Sequence, residues 1–301
     1  NTPNLVHPNV VSVHKDSSGN LWFTSFHGLT KYDGTTWTRF NTSNGLPSST
    51  TMQFIEDNSG TLWVWSMSWV LRYDGWNTFT PFNLPYNRIS KLFKDAVWNL
   101  YAISQLWTYK FNGTTWNTIT TKYLYDVYIE DNWDLVFSDQ WKWITKYNGT
   151  TWNTIYSTWN GLPTNNPSVI LKDSQWNIWA WLSNNWLAKF DGIKWEHFKI
   201  ENLMNNYVRS LYQSSNWDIW VGTSNGLNQV TWVSWKQINY SANTNNIKWI
   251  TEDNSGNMWF ATWWGAIKNT SSGNTYYNPP GNTYAIFKDN IGKMWFGTIS
   301  G

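Results

Sequence analysis

One pattern of about forty residues is written eight times along this chain, and few folds accommodate such a period. Each copy has an apolar strand ending in Asp, a tight turn, a strand opening on an aromatic residue, a glycine, and a Lys-Tyr-Asp-Gly turn. The first copy runs Val10-Val-Ser-Val-His-Lys-Asp16-Ser-Ser-Gly19-Asn-Leu-Trp22-Phe-Thr-Ser-Phe-His-Gly28-Leu-Thr-Lys-Tyr32-Asp33-Gly34-Thr-Thr-Trp37. The turn column returns at Gly60, Trp98, Trp133, Trp176, Trp217, Gly256 and Gly292, at spacings of 35 to 43 residues. A fixed period of this length made of short strands is the mark of a propeller or a solenoid. It also argues against an enzyme, because what recurs eight times is scaffold.

Each unit divides into four strand-like segments, here called A to D, separated by turn signals. Strand A is typified by Val10 to Lys15, Met52 to Glu56, Val169 to Lys172 and Ala285 to Lys288. The A–B turns read Asp16-Ser-Ser-Gly19, Asp57-Asn-Ser-Gly60, Asp253-Asn-Ser-Gly256 and Asp289-Asn-Ile-Gly292. The Asp side chain caps its own turn, and the Gly supplies a left-handed backbone. Strand B opens with Trp22, Trp63, Tyr101, Trp179, Trp220, Trp259 or Trp295, one large flat ring per unit that suits packing between neighbours. Asp33-Gly34, Asp74-Gly75, Asn112-Gly113, Asn148-Gly149 and Asp191-Gly192 mark a C–D hairpin, which a β-helix does not need. Strand D carries a second aromatic residue, such as Trp37, Trp116, Trp152, Trp195 or Trp235, and linkers such as Asn44-Gly-Leu-Pro47 and Asn160-Gly-Leu-Pro163 lead to the next unit.

Four antiparallel strands repeated radially make a β-propeller. The expected fold is therefore all-β, a single propeller domain over residues 1–301, with units beginning near 10, 51, 88, 124, 167, 207, 246 and 283. Seven units are complete. The eighth stops at Gly301, in the B–C glycine column, so the chain reads as cut from a longer one. In this order the Asp-x-x-Gly and Asp-Gly turns share one face, and the B–C loops and Asn-Gly-Leu-Pro linkers share the other.

Composition narrows the function classes. A formal charge of +2 with 13% charged residues implies no basic face for nucleic acid. No apolar run approaches the about 18 residues of a membrane span. The polar start, Asn1-Thr-Pro-Asn, carries no signal peptide in this segment. The absence of cysteine excludes disulfides, thiolate zinc and a cysteine nucleophile.

The strings Asp253-Asn-Ser-Gly-Asn-Met-Trp259-Phe-Ala-Thr, Trp220-Val-Gly-Thr-Ser-Asn-Gly226 and Trp295-Phe-Gly-Thr298 resemble the two-component regulator propeller repeat. The runs from Leu29 to Trp37 and from Asn41 to Pro47 resemble repeats of related secreted bacterial propeller proteins. The resemblance covers nearly the whole chain. It implies an extracytoplasmic sensor, periplasmic or secreted, with a histidine kinase or a sorting module elsewhere in the same chain. It brings no catalytic motif and no cofactor.

The residues themselves offer little chemistry. His7, His14, His27 and His197 show no pair with metal-ligand spacing on one strand face, so no metal is expected. The Asp-x-x-Gly loops lack the alternating oxygens and terminal bidentate Glu of a calcium loop. Glu56-Asp57, Glu130-Asp131 and Glu252-Asp253 recur at one place in the repeat, unlike glycosidase carboxylates that face each other across a substrate. Two alternatives to a non-enzymatic binding or sensor propeller remain. One is a streptogramin-lyase-like propeller using histidine and a divalent cation, and the other is a glycan-binding propeller using exposed Trp. Ligand-binding residues are expected on the B–C and linker face, where the copies diverge: His27, Gln105, Gln140, Lys142, Asn184, Asn185, Asn225 and Trp264. The ligand would be a small molecule or a glycan.

The tryptophan content is anomalous: 28 Trp against 19 Gly. Eleven of these Trp stand in columns that other copies fill with Gly. They are Trp98, Trp133, Trp176 and Trp217 in the A–B turn, Trp69, Trp107, Trp143 and Trp186 in the B–C column, Trp65 and Trp181 in strand B, and Trp232 in the C–D turn. A left-handed backbone costs a non-glycine residue roughly 1–2 kcal/mol. Ten such sites would cost about as much as the whole stability of a domain, about 5–15 kcal/mol. The pattern is what a gene using UGA for glycine shows when UGA is read as tryptophan. It predicts that Trp98, Trp133, Trp176 and Trp217 lie in exposed hairpin turns with positive φ.

Overall fold

The computed structural model describes residues 4–66, 69–86, 88–95, 99–132, 134–139, 143–157, 161–162, 167–182, 186–199, 208–224, 226–231, 235–238, 246–277, 282–289 and 292–298. Among them there is no helix. The sheets are β1–β4 (residues 10–40), β5–β8 (51–82), β9–β12 (89–120), β13–β16 (124–156), β17–β20 (169–199), β21–β24 (208–238) and β25–β28 (249–277). A two-stranded sheet, β29 (Thr283–Lys288) and β30 (Met294–Thr298), follows. Every four-stranded sheet is an antiparallel meander in chain order. This is the β-propeller expected, with seven complete blades and a half unit.

The first blade shows how the sequence makes these strands. β1 (Val10–Lys15), β2 (Leu21–Ser25), β3 (Gly28–Tyr32) and β4 (Trp37–Phe40) pair with Lys15 opposite Leu21, Ser25 opposite Gly28 and Tyr32 opposite Trp37. Strand B is buried at every position in all seven complete blades, opening on apolar residues and, except in blade five, ending on a buried polar side chain: Ser25, Ser66, Ser104, Asp139, Thr223 and Thr262. In blade seven all five residues of strand D, β28 (Gly273–Tyr277), are exposed, whereas Phe40 in blade one and Phe79 in blade two turn into the core.

The chain forms two compact units. The first holds blades one to three, nearly all of blade seven and the terminal pair; the second holds blades four to six. In each, strands A of successive blades lie side by side: β1 against β5 and β5 against β9 in the first, β13 against β17 and β17 against β21 in the second. In the first unit β29 contacts both β26 and β1, so the two-stranded sheet lies between blade seven and blade one.

The cores sit between blades. Trp22, Leu29 and Phe40 of blade one pack with Phe54, Leu62, Val64, Leu71 and Phe79 of blade two. Trp63 and Val70 of blade two pack with Leu92, Leu100, Ala102 and Tyr109 of blade three. Polar side chains stitch the same junction: Thr24 Oγ1 donates to Met52 O (2.8 Å), and Thr51 Oγ1 donates to Ser25 O (3.0 Å).

Two details differ from the sequence reading. The C–D connection of blade one is a four-residue loop between Tyr32 and Trp37, closed by Asp33 N–H to Thr36 O (3.2 Å), and not a two-residue turn on Asp-Gly. The Asp33 carboxylate accepts the N–H groups of Thr35 and Thr36, which is an Asx turn. Asn112 and Asn148 do the same in blades three and four. The acidic pairs also do not share one register. Glu130 N–H bonds Asp134 O as Asp57 N–H bonds Thr61 O, so Glu130 stands in the Asp column and not beside Glu56.

The feature that repeats most faithfully is a hydrogen bond from the strand B indole to the A–B turn. Trp22, Trp63, Trp179, Trp259 and Trp295 donate Nε1–H to Oδ2 of Asp16, Asp57, Asp173, Asp253 and Asp289 at 2.8–3.0 Å. Oδ1 of the same carboxylates accepts the backbone N–H four residues on, at 2.8–3.0 Å. Removing one partner of a buried hydrogen bond costs about 1–3 kcal/mol. Asp57→Ala should therefore lower unfolding free energy by about that amount, read from urea midpoints. Asp33→Ala, on an exposed loop, should cost visibly less.

Candidate functional site

The Asp-turn face is chemically committed. A cleft of about 500 Å³ opens there within the first unit, lined by Lys15, Asp16, Ser17, Glu56, Phe287, Lys288 and Asp289 among others. Its Asp side chains hold their own turns and indoles. Glu56 accepts the N–H of Ser17 at 2.9 and 3.1 Å and its hydroxyl as well, with His14 Nε2 4.0 Å away. Glu56 thereby ties blade two to blade one.

Asp253 shows the electrostatics of this arrangement. Burial alone would raise its pKa, but the Trp259 indole, the Asn257 side chain and the N–H groups of Asn257 and Ser255 outweigh it. The carboxyl is held well below the usual carboxylate range. A depressed carboxylate pKa contributes stability that is present above the unfolded value and lost as pH falls toward the folded one.

On the opposite face the B–C loops are short and their backbones are clamped. The hydroxyl at the end of strand B donates to the carbonyl three residues on: Ser25 to Gly28 O, Ser104 to Trp107 O, Thr223 to Gly226 O and Thr262 to Gly265 O, at 2.8–2.9 Å. Gly28 is required: a Cβ there would lie 2.1 Å from Phe40 O, and its φ is +134°. The clamp holds the backbone and leaves the loop side chains to solvent.

His27, Gln105 and Trp264 are exposed in these loops. Each is anchored through its backbone N–H: His27 to Ser25 Oγ (3.1 Å), Gln105 to Arg88 O (3.3 Å) and Trp264 to Thr262 Oγ1 (3.2 Å). Gln140, Lys142, Asn184, Asn185 and Asn225 lie outside the described residues.

The structure adds a residue that spacing did not single out. The His7 ring stacks on His27 with centroids 3.8 Å apart and planes at 20°. The segment before β1 is pinned along blade one by Val6 N–H to Thr30 Oγ1 (2.9 Å) and by Arg39 Nε–H to Asn4 O (2.7 Å). His7 Nδ1 accepts the Asn9 N–H (3.1 Å). Burial, and then the neighbouring His27, lower the pKa of His7. Twenty residues of separation carry no sequence signal for this pair. Among the described residues no group of three or more His, Cys, Asp or Glu is placed to hold a metal.

Residues 241–264 match the two-component regulator propeller family. A 67-residue stretch is 39% identical to histidine kinase P4 of Formosa agariphila, covering 19% of this chain and 5% of that protein. The extracellular domain of a putative hybrid two-component system from B. thetaiotaomicron superposes with a TM-score of 0.61 at 17% identity, over 97% of this chain and 50% of that one. A catalytically inactive virginiamycin B lyase from Staphylococcus aureus, solved with quinupristin, gives 0.64 at 15% identity, over 83% and 92%. PorZ, a surface component of the type-IX secretion system of Porphyromonas gingivalis, gives 0.61 at 13%, over 97% and 52%. At these identities the solved structures share the fold. The chain spans half of the two-component extracellular domain it resembles. No helix long and apolar enough to cross a membrane occurs among the described residues.

Two titrations check the electrostatics. Stability measured by urea unfolding should fall below about pH 4, and Asp253→Asn, which has no proton to gain, should be less stable at neutral pH and show a shallower fall. In a histidine NMR titration His7 should titrate below an ordinary histidine, and His27→Ala should move its midpoint upward.

Proposed function

We propose that this chain is the non-enzymatic ligand-binding or sensor propeller of an extracytoplasmic protein. The ligand, a small molecule or a glycan, is taken on the B–C loop and linker face. The observation that carries this reading is the contrast between the two faces. On the Asp-turn face the repeated carboxylates are spent on turns, indoles and the next blade. On the B–C side a hydroxyl clamp fixes the loops of blades one, three and seven, while their exposed side chains differ in chemistry: His27 and Trp264 stand at one matching position, and Gln105 stands one residue earlier in its loop. A pseudo-symmetric scaffold recognises an asymmetric ligand through such unit-to-unit differences. The match to a histidine kinase and the likeness to a two-component extracellular domain support a kinase elsewhere in the same protein as the recipient of the signal. A sorting module is the corresponding partner in a secreted binding protein.

A ligand screen by thermal shift, followed by calorimetry, tests the proposal. The triple variant His27→Ala, Gln105→Ala, Trp264→Ala should lose binding by at least tenfold with an unchanged melting midpoint. Undiminished binding, or a ligand mapped to the Asp-turn cleft, would overturn the assignment of the face. Turnover of a screened compound that is lost with His27→Ala would instead favour lyase-like chemistry.

A further inference from the structure

Two sets of tryptophan in this protein occupy unlike places. Trp22, Trp63, Trp179, Trp220 and Trp259 open strand B, are at most 6% exposed, and each donates its indole N–H to the A–B turn. Trp76, Trp176 and Trp217 are 96%, 64% and 48% exposed and have φ of +49°, +72° and +74°. Among the described residues the other non-glycine positions with positive φ are Asn77 and Asn246, and Asn tolerates that conformation. Trp does not.

The local geometry at these three sites is that of glycine. Trp176 N–H bonds Asp173 O (3.1 Å) and Trp217 N–H bonds Ser214 O (3.0 Å). Gly19, Gly60, Gly256 and Gly292 make the same bond at 2.9–3.2 Å with φ of +78° to +90°. Both Trp indoles donate to no described residue, although the Trp176 ring does lie 4.1 Å from Lys172 Nζ. Trp76 is independent of the turn column. It is the first central residue of a two-residue turn between Gly75 and Thr78, with Asn77 at φ +64°. Both central residues are left-handed, as in a type I′ turn, where glycine and asparagine are favoured. That connection is one residue longer than its counterpart in blade one, so no alignment of the repeats exposes it. In the B–C column, Trp69 and Trp107 accept the Ser66 and Ser104 hydroxyls through their carbonyls, as Gly28 and Gly265 do from Ser25 and Thr262.

We propose that the gene carries UGA at these positions and that its organism decodes UGA as glycine. The native protein then has glycine at 76, 176 and 217, and tryptophan where strand B opens. The turns become unstrained, and three exposed indoles disappear from any sugar-binding surface. The decoding requires a glycine-accepting tRNA with a UCA anticodon in the same genome.

Peptide mass spectrometry of the protein purified from its source organism decides the matter. The expected result is glycine at 76, 176 and 217 and tryptophan at 22 and 63, with UGA and UGG codons respectively. Tryptophan peptides spanning 176 and 217, or UGG codons there, would overturn the proposal. A recombinant comparison reads the same question through stability. Trp176→Gly and Trp217→Gly should each raise the melting midpoint, whereas Trp63→Gly should lower it. A lowered midpoint in both turn variants would mean that the indoles are native parts of the fold.

Discussion

The bond between an A–B turn carboxylate and the strand B indole is the interaction on which the blades depend. One carboxylate oxygen closes the turn and the other receives the indole N–H six residues on. The ring is thereby carried into the seam between blades with its polar atom satisfied, which a buried indole needs. Blades that lack the pair show what replaces it. Blade six uses the Ser214 hydroxyl as acceptor for Trp220 at 3.3 Å. Blades three and four place Tyr101 and Val136 in the ring column, both buried. In blade four Glu130 leaves the turn and pairs with Lys146 at 2.6 Å, since Val136 offers no donor.

This economy divides the molecule into a face that builds and a face that is free to vary. On this side the Asp carboxylates cap their turns and hold the indoles, and Glu56 reaches the next blade. The B–C loops face a weaker demand, because in blades one, two, three, six and seven a single serine or threonine hydroxyl holds the loop backbone. Side chains between the clamp points can change without cost to the fold. The likeness in fold to both a two-component extracellular domain and a lyase shows one scaffold in proteins of different description.

Much of the fold was legible in the repeat. Strand A over Val10–Lys15 and Val169–Lys172 falls where the alternation and the following Asp turn place it. Trp22 and Trp63 are buried between blades, and Tyr101 is buried, as one large ring per unit suggests. Trp176 and Trp217 are exposed with positive φ, as their column predicts, while Trp98 and Trp133 lie outside the described residues. The candidate site was legible only in part. His27, Gln105 and Trp264 are exposed on the loops where divergence between copies put them. His7 was not foreseen as the neighbour of His27, because the segment that carries it belongs to no repeat and is placed by hydrogen bonds to Thr30 and Arg39.

What the sequence determined by itself was whatever depends on neighbours in the chain: strand periodicity, turn chemistry, the glycine columns and the count of units. These are local, since a turn needs its Asp and its left-handed residue within four positions. Only the tertiary structure decided which acceptor each indole finds and how far each C–D loop extends. It alone also decided the register of Glu130, the stacking of His7 on His27 and the place of the two-stranded sheet between blade seven and blade one. Those outcomes depend on distances between segments that are remote in sequence, and no spacing rule within one repeat encodes them.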